Sequence, residues 1–253
     1  MATHNLFSNF PKERPLLSPE FAAIYLQHYK NSREGNSKVL SLAKSAESWM
    51  HKKVAADVQS GLQRSTLEIG AGTLNQLPYE PLSNPYDIVE PFRDLYKFSP
   101  NLDRVRNIYD DILEIPHAAR YERIISVAVL EHICNLPEVV AQSGLLLVDG
   151  GQFRAGIPSE GTMLWRLAWK ATTALEFRLR YNLDYEVLMR HEHVNSAREI
   201  EDVLRYFFSE VEGRIFGLAR SVSFYQFYAC AKPRLDECLD YLRSKASRQS
   251  CTP

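Results

Sequence analysis

LEIGAGTLN, Leu67 to Asn75, is the stretch on which the reading of this chain turns. A short apolar strand runs directly into a glycine-rich turn at an expected helix start. Gly70 and Gly72 let the backbone bend tightly and approach a ligand with no side chain in the way. Alone, GxG fits an ordinary strand-to-helix turn equally well. Glu90 adds weight, because it ends the next apolar strand in YDIVEP, 18 residues beyond Gly72, where a carboxylate can accept two hydrogen bonds from a ribose diol. That spacing speaks against a merely solvated loop glutamate. A third acidic position follows in YDDILEIP, where Asp111 is placed to accept from an adenine amino group and Ile112 to stack on the ring. Asp110 is an equally acidic neighbour, and two turn-forming aspartates are the alternative.

Outward from this stretch, short apolar runs alternate with polar, helix-compatible segments: Thr66 to Ile69, Tyr86 to Val89, Arg106 to Tyr109, Arg123 to Val129 and Leu145 to Val148. Such alternation predicts an α/β fold with a parallel, doubly wound sheet. RIISVAVL is apolar almost throughout, as a central strand covered on both faces should be. Downstream, Ser196 and Glu199 form a capping box that opens a helix with Ile200, Val203, Leu204 and Phe207 on one face. Two strand-like runs follow, Glu210 to Phe216 and Val222 to Ala231, and after Pro233 a short helix with a polar tail.

Upstream, the first 15 residues show no period and read as a mobile arm. Ser18 and Pro19 open a helix with Phe21, Ile24, Tyr25 and Tyr29 on one face, and a second helical run passes through Val39, Leu42, Ala46, Trp49, Met50 and Val54. The expected organisation is thus an N-terminal arm and helical cap over 1–64, a main domain over 65–232 carrying a lid-like insertion at 159–193, and a C-terminal helix and tail over 233–253. The cap and the insertion are expected to overhang the sheet's mouth.

The 253 residues are 45% hydrophobic, enough for one large core. Thirty basic and 31 acidic side chains nearly cancel, which argues against a phosphate backbone or an anionic membrane as partner. Four cysteines without a CxxC pair read as free thiols. With neither a signal peptide nor a roughly 20-residue apolar span, the expectation is a cytoplasmic protein.

These residues together resemble the class I S-adenosylmethionine (SAM)-dependent methyltransferase superfamily. Asp111, Ile112 and Pro116 match the family's D-x-x-x-x-P pattern, ISVAVLEHICNLP is similar to its fourth-strand segment with Leu-Glu-His, and LLLVDGGQFRAGIP looks like its fifth strand. The resemblance covers 65–158 well and 194–232 moderately. It implies a Rossmann-like sheet of seven strands with the last inserted antiparallel. It also implies a SAM site in which Glu68, Gly70 and Gly72 surround the methionine half, Glu90 binds the ribose and Asp111 the adenine, with Pro91, Ile112 and Val127 among the cofactor-binding residues. A nicotinamide-dependent oxidoreductase is the rival within the fold, but its fingerprint needs a third glycine where this chain has Asn75.

A sulfonium methyl is already an electrophile, so the enzyme needs mainly to align the acceptor and exclude water. A hydroxyl acceptor benefits from a general base. His132 is the leading candidate and His193 the second. A loop-ordering role for His132 is the alternative, and Glu131 reads as its orienting partner. His191, Glu192 and His193 suggest a metal, but no further ligands stand at fixed spacing, so none is expected. Tyr29, Trp49, Arg154, Trp165, Tyr181 and His191 are candidate acceptor contacts, each with packing or a solvated face as its alternative. The sequence therefore reads as a small-molecule methyltransferase acting on oxygen or nitrogen, monomeric or homodimeric, without nucleic-acid or membrane partners. A noncatalytic SAM-fold binding protein is the alternative from another class. The (D/N)PP(Y/F) tetrapeptide of methyltransferases acting on planar amino groups is absent, its place held by Ala128-Val129-Leu130-Glu131.

Overall fold

A computed structural model of the chain describes residues 6–22, 24, 41–58, 64–159, 177, 181, 183–220 and 222–249. In chain order the regular elements are α1 (Ser41–Val54), β1 (Thr66–Ile69), β2 (Tyr86–Val89), α2 (Arg93–Tyr96), β3 (Asn107–Tyr109), β4 (Tyr121–Val127), α3 (Leu136–Leu146), β5 (Leu147–Pro158), α4 (Tyr185–Glu192), α5 (Ala197–Phe207), β6 (Phe208–Ala219), β7 (Val222–Pro233) and α6 (Leu235–Gln249). The strands form one seven-stranded sheet in the order β3-β2-β1-β4-β5-β7-β6. β1 to β5 pair in parallel, and β7 lies antiparallel between β5 and β6. The seven-stranded expectation with a late antiparallel insertion is met.

All four residues of β1 and of β2 are buried, which is why these strands read as continuous rather than alternating apolar runs. On one face Leu67, Ile69, Ile124 and Phe153 pack with Val140, Ile200, Val203, Leu204 and Phe207. On the other, Tyr86, Ile88, Ile125 and Phe227 pack with Val54, Leu74 and Tyr96. Helices on both faces of a mostly parallel sheet account for the core.

The C-terminal end of α1 is tied to the sheet by buried charge. Arg154 Nε and one of its amino groups donate to the carbonyls of Val54 and Lys53, at 2.8 and 2.7 Å. Arg123, fully buried in β4, donates to Val54 O and pairs with Glu80 at 2.7 Å and Asp57 at 2.9 Å. Carbonyls at a helix C-terminus lack intrahelical donors and carry partial negative charge, so the two guanidinium groups satisfy both.

Several local expectations change. The GxG turn does not enter an α-helix: a turn at Gly72–Leu74 leads to a single 3-10 turn, Leu77–Tyr79. Pro78, Pro81 and Pro85 remove the amide donors that a longer helix here would need. Leu145 and Leu146 close α3, and β5 starts at Leu147. α6 is 15 residues long rather than short. Residues 6–15, expected as part of a mobile arm, lie docked on the body. Phe7 packs edge-on to Tyr206 and Tyr241 and stacks on Phe207, at centroid distances of 4.8, 5.0 and 5.6 Å. Lys12 N donates to Cys134 O, and its ammonium group meets Val194 O and Glu199. The Ser18 cap holds, with Phe21 N donating to its hydroxyl, and so does the Ser196–Glu199 capping box.

Candidate active site

The strand order runs outward in opposite directions from β1 and β4, so the crevice beyond their carboxyl ends is where an open α/β sheet collects its ligand. Gly70 leaves β1 at φ +69°, and a Cβ on it would stand 2.4 Å from a Val129 methyl group, so the loop after β4 rests directly on the GxG turn. Gly72 follows at φ +52°. Its amide donates to Glu90 Oε2 at 2.7 Å, while Phe92 N donates to Glu90 Oε1 at 3.0 Å. Glu90 is 5% exposed. The carboxylate is therefore fixed beside the turn by two main-chain donors, with lone pairs left for further donors.

Glu68 lies one strand residue deeper. It accepts from the Tyr86 hydroxyl at 2.8 Å, and burial raises its carboxyl to about 8. On the adenine side, Asp111 is exposed and caps the 3-10 turn Ile112–Glu114 by accepting from Leu113 N. Ile112 does not present a stacking face, because its side chain is part of the core at 3% exposure. The exposed apolar neighbours in this region are Phe92 and Leu113. Pro91 is exposed beside Glu90, and Val127 is half-buried at the end of β4.

Past β4 the chain turns through Ala128 at φ +53° into a 3-10 turn, Leu130–His132. His132 Nδ1 lies 3.0 Å from Glu192 O. A carbonyl only accepts, so Nδ1 carries the proton and the neutral ring keeps its lone pair on Nε2. Glu131, buried beside it, has Oε1 3.7 Å from that nitrogen, too long for a hydrogen bond. The His193 ring meets the His132 ring edge-on at 4.7 Å. His191, on α4, turns away from them and bonds to Pro15 O through Nδ1.

The segment holding His193 is fastened to the β4 loop. Val194 N and Asn195 N donate to Glu131 O, and the Asn195 amide donates to Leu130 O and Ile133 O at 2.8 and 2.7 Å. Arg14, from the docked strap, donates to His132 O and to the carbonyls of His191 and Glu192. Arg14, Val129 and Asn195 were missed in the sequence. Asn195 did stand two residues beyond His193, but the arginine and the valine carried no local signal.

Among the acceptor candidates, Arg154 is corrected: its guanidinium is 7% exposed and spent on α1 and Gln152. Trp49 packs against Phe216 of β6 at 5.4 Å. Tyr181 packs on Phe177, which also meets Tyr185. Tyr29 and Trp165 fall outside the described residues.

The chain has the fold of the class I SAM-dependent methyltransferases. Among solved structures it is similar to a Thermotoga maritima SAM-dependent methyltransferase described as a possible histamine N-methyltransferase, at 14% identity and TM-score 0.50, over 84% of this chain and 97% of that one. It is similar also to the plantazolicin methyltransferase BpumL bound to a triazolic desmethylplantazolicin analogue and S-adenosylhomocysteine, at 13% identity and TM-score 0.55, over 84% and 93%. A third likeness is to the CurJ carbon methyltransferase, at 18% identity and TM-score 0.54, where 85% of this chain spans 62% of the other. No protein-family model and no curated protein matches the sequence.

Proposed function

We propose that this protein is a SAM-dependent methyltransferase that transfers the sulfonium methyl to an oxygen or nitrogen of a small molecule. The observation that carries this reading is the fixed Glu90 carboxylate against the Gly72 amide at the switch point of the sheet. A ribose diol donates two hydrogen bonds, and a buried carboxylate with spare lone pairs beside a side-chain-free turn suits it. The turn has Asn75 in place of a third glycine and leads into no α-helix, so it offers no helix N-terminus to a pyrophosphate. This favours SAM over a nicotinamide dinucleotide.

In this reading Gly70 and Gly72 border the methionine half, with Glu68 beneath them. Glu90 and Pro91 hold the ribose, and Asp111 and Val127 flank the adenine. The acceptor enters beside the Leu130–His132 turn, where His132 and His193 act on the hydroxyl or amine that it presents. The cap over residues 1–64 and the insertion at 159–193, with Tyr29, Trp165 and Tyr181, shape the acceptor's pocket. The similar structures include a possible N-methyltransferase and a carbon methyltransferase, so likeness does not choose the atom.

The test is to incubate the protein with SAM labelled on the methyl group and an extract separated by mass. The reading predicts label in the low-mass fraction. Label confined to protein or nucleic acid overturns the small-molecule acceptor, and no transfer despite saturable SAM binding favours a noncatalytic binding protein.

A further inference from the structure

We infer that His132, Glu192 and His193 form a binding site for one divalent first-row transition-metal cation. Its catalytic role rests on the methyltransferase reading, whereas its existence does not. One ring nitrogen from each histidine and one Glu192 carboxylate oxygen lie within 4.8 Å of one another. An ion can then sit no farther than about 2.8 Å from all three, so each ligand atom has to close by roughly 0.7 Å to reach usual bond lengths near 2.1 Å. Side-chain rotations suffice for that. Three ligands of this type, two imidazoles and a carboxylate, suit zinc, cobalt, manganese or iron better than magnesium or calcium, which favour all-oxygen shells.

The surroundings match what such a site needs. His132 donates its Nδ1 proton to Glu192 O, the outer contact that fixes a ligating ring's tautomer and leaves Nε2 for a metal. Glu131 stands 3.7 Å from that nitrogen, so a second carboxyl group lies beside the place of the cation. The two segments are locked to each other by Asn195, Val194 N and Arg14, which holds the ligand atoms in place before an ion arrives. All three residues are half-buried, so an entry path exists.

Three protein ligands leave open positions. An acceptor hydroxyl bound there becomes more acidic, as metal-bound water does. It releases its proton to water, and an oxygen lone pair then forms the new O–C bond as the S–C bond breaks with its electron pair passing to sulfur. The products are a methyl ether, S-adenosylhomocysteine and a proton, and the cation is unchanged. Acceptors with two adjacent ligating oxygens, a vicinal diol or an α-hydroxy acid, fit this arrangement.

The test uses the full-length chain, stripped with a chelator and free of any polyhistidine tag, titrated with Co2+ and followed by visible absorption. S-adenosylhomocysteine binding is measured on the same samples. The inference predicts one Co2+ per chain with ligand-field bands, displaced by Zn2+, and at least about tenfold weaker binding in H193Q and E192Q, both retaining S-adenosylhomocysteine affinity. No stoichiometric cobalt binding, or binding unchanged in both variants, overturns it. Should H193Q lose its fold, E192Q decides alone, because it keeps the main-chain carbonyl that His132 Nδ1 meets. Cobalt binding without S-adenosylhomocysteine binding leaves the metal site standing and sinks the methyltransferase reading.

Discussion

Gly70 and Glu68 stand two positions apart in the chain, and each makes a distinct prediction. Ala at position 70 meets two penalties, a left-handed φ of +69° and a Cβ 2.4 Å from Val129. G70A should lose about 1–3 kcal/mol of stability, and adding V129A should recover the clash but not the backbone strain. Denaturant midpoints of the three variants check this, and full recovery in the double variant would contradict it. At Glu68 the sign follows from burial, which raises the carboxyl from 4.5 to about 8. The folded state then holds a proton that the unfolded chain has released. This contribution to stability is complete below pH 4.5 and declines as pH rises towards about 8. E68Q keeps a neutral group there, so its stability should fall less than the wild type's between pH 5 and 8. Parallel slopes would show that Glu68 is ionised throughout. At this scale the sequence was informative where a residue acts with its neighbours in the chain. Gly70, Gly72 and Glu90 follow from a turn and an 18-residue spacing, but the partners of Arg14, Val129 and Asn195 lie across the fold and leave no local pattern.

At the scale of elements, the docking of α1 and of the strap depends on contacts that cross most of the chain. Arg154→Ala removes its two bonds to the last carbonyls of α1, leaving Arg123 alone on Val54 O, and leaves Asp57, 3.1 Å away, with less compensation. Breaking such a buried ion pair costs about 3–5 kcal/mol. Chemical denaturation measures it, and a loss under about 1 kcal/mol would mean that α1 is held by its apolar face alone. Phe7→Ala should cost about 1–2 kcal/mol through its lost ring contacts with Tyr206, Phe207 and Tyr241. An unaltered midpoint for that variant would return residues 6–15 to the free arm that their lack of period suggested. Strands β1, β2 and β4 were legible because a buried parallel sheet writes itself as apolar runs, whereas the edge strand β3 is largely exposed. The strap was not, since an extended segment held by single anchors has no repeat to detect. An arginine inside the apolar run of β4, Arg123, was the one sequence sign of the buried charge network.

For the whole molecule, the order β3-β2-β1-β4-β5-β7-β6 places a glycine turn, a fixed carboxylate and two facing histidines around one crevice. The alternation of runs foretold the parallel sheet, and the resemblance implied its antiparallel insertion. The pairing of His132 with His193, 61 positions on, needed the fold, because β5 and the segment up to α4 intervene. SAM in the crevice is the central claim, and it is tested most directly by calorimetric titration of the purified protein with S-adenosylhomocysteine, and separately with NAD and NADP, beside Glu90→Ala as control. The account predicts saturable binding of S-adenosylhomocysteine alone, at one per chain, weakened in a folded E90A variant. Binding of a nicotinamide dinucleotide in its place, or no loss of affinity in E90A, would contradict it.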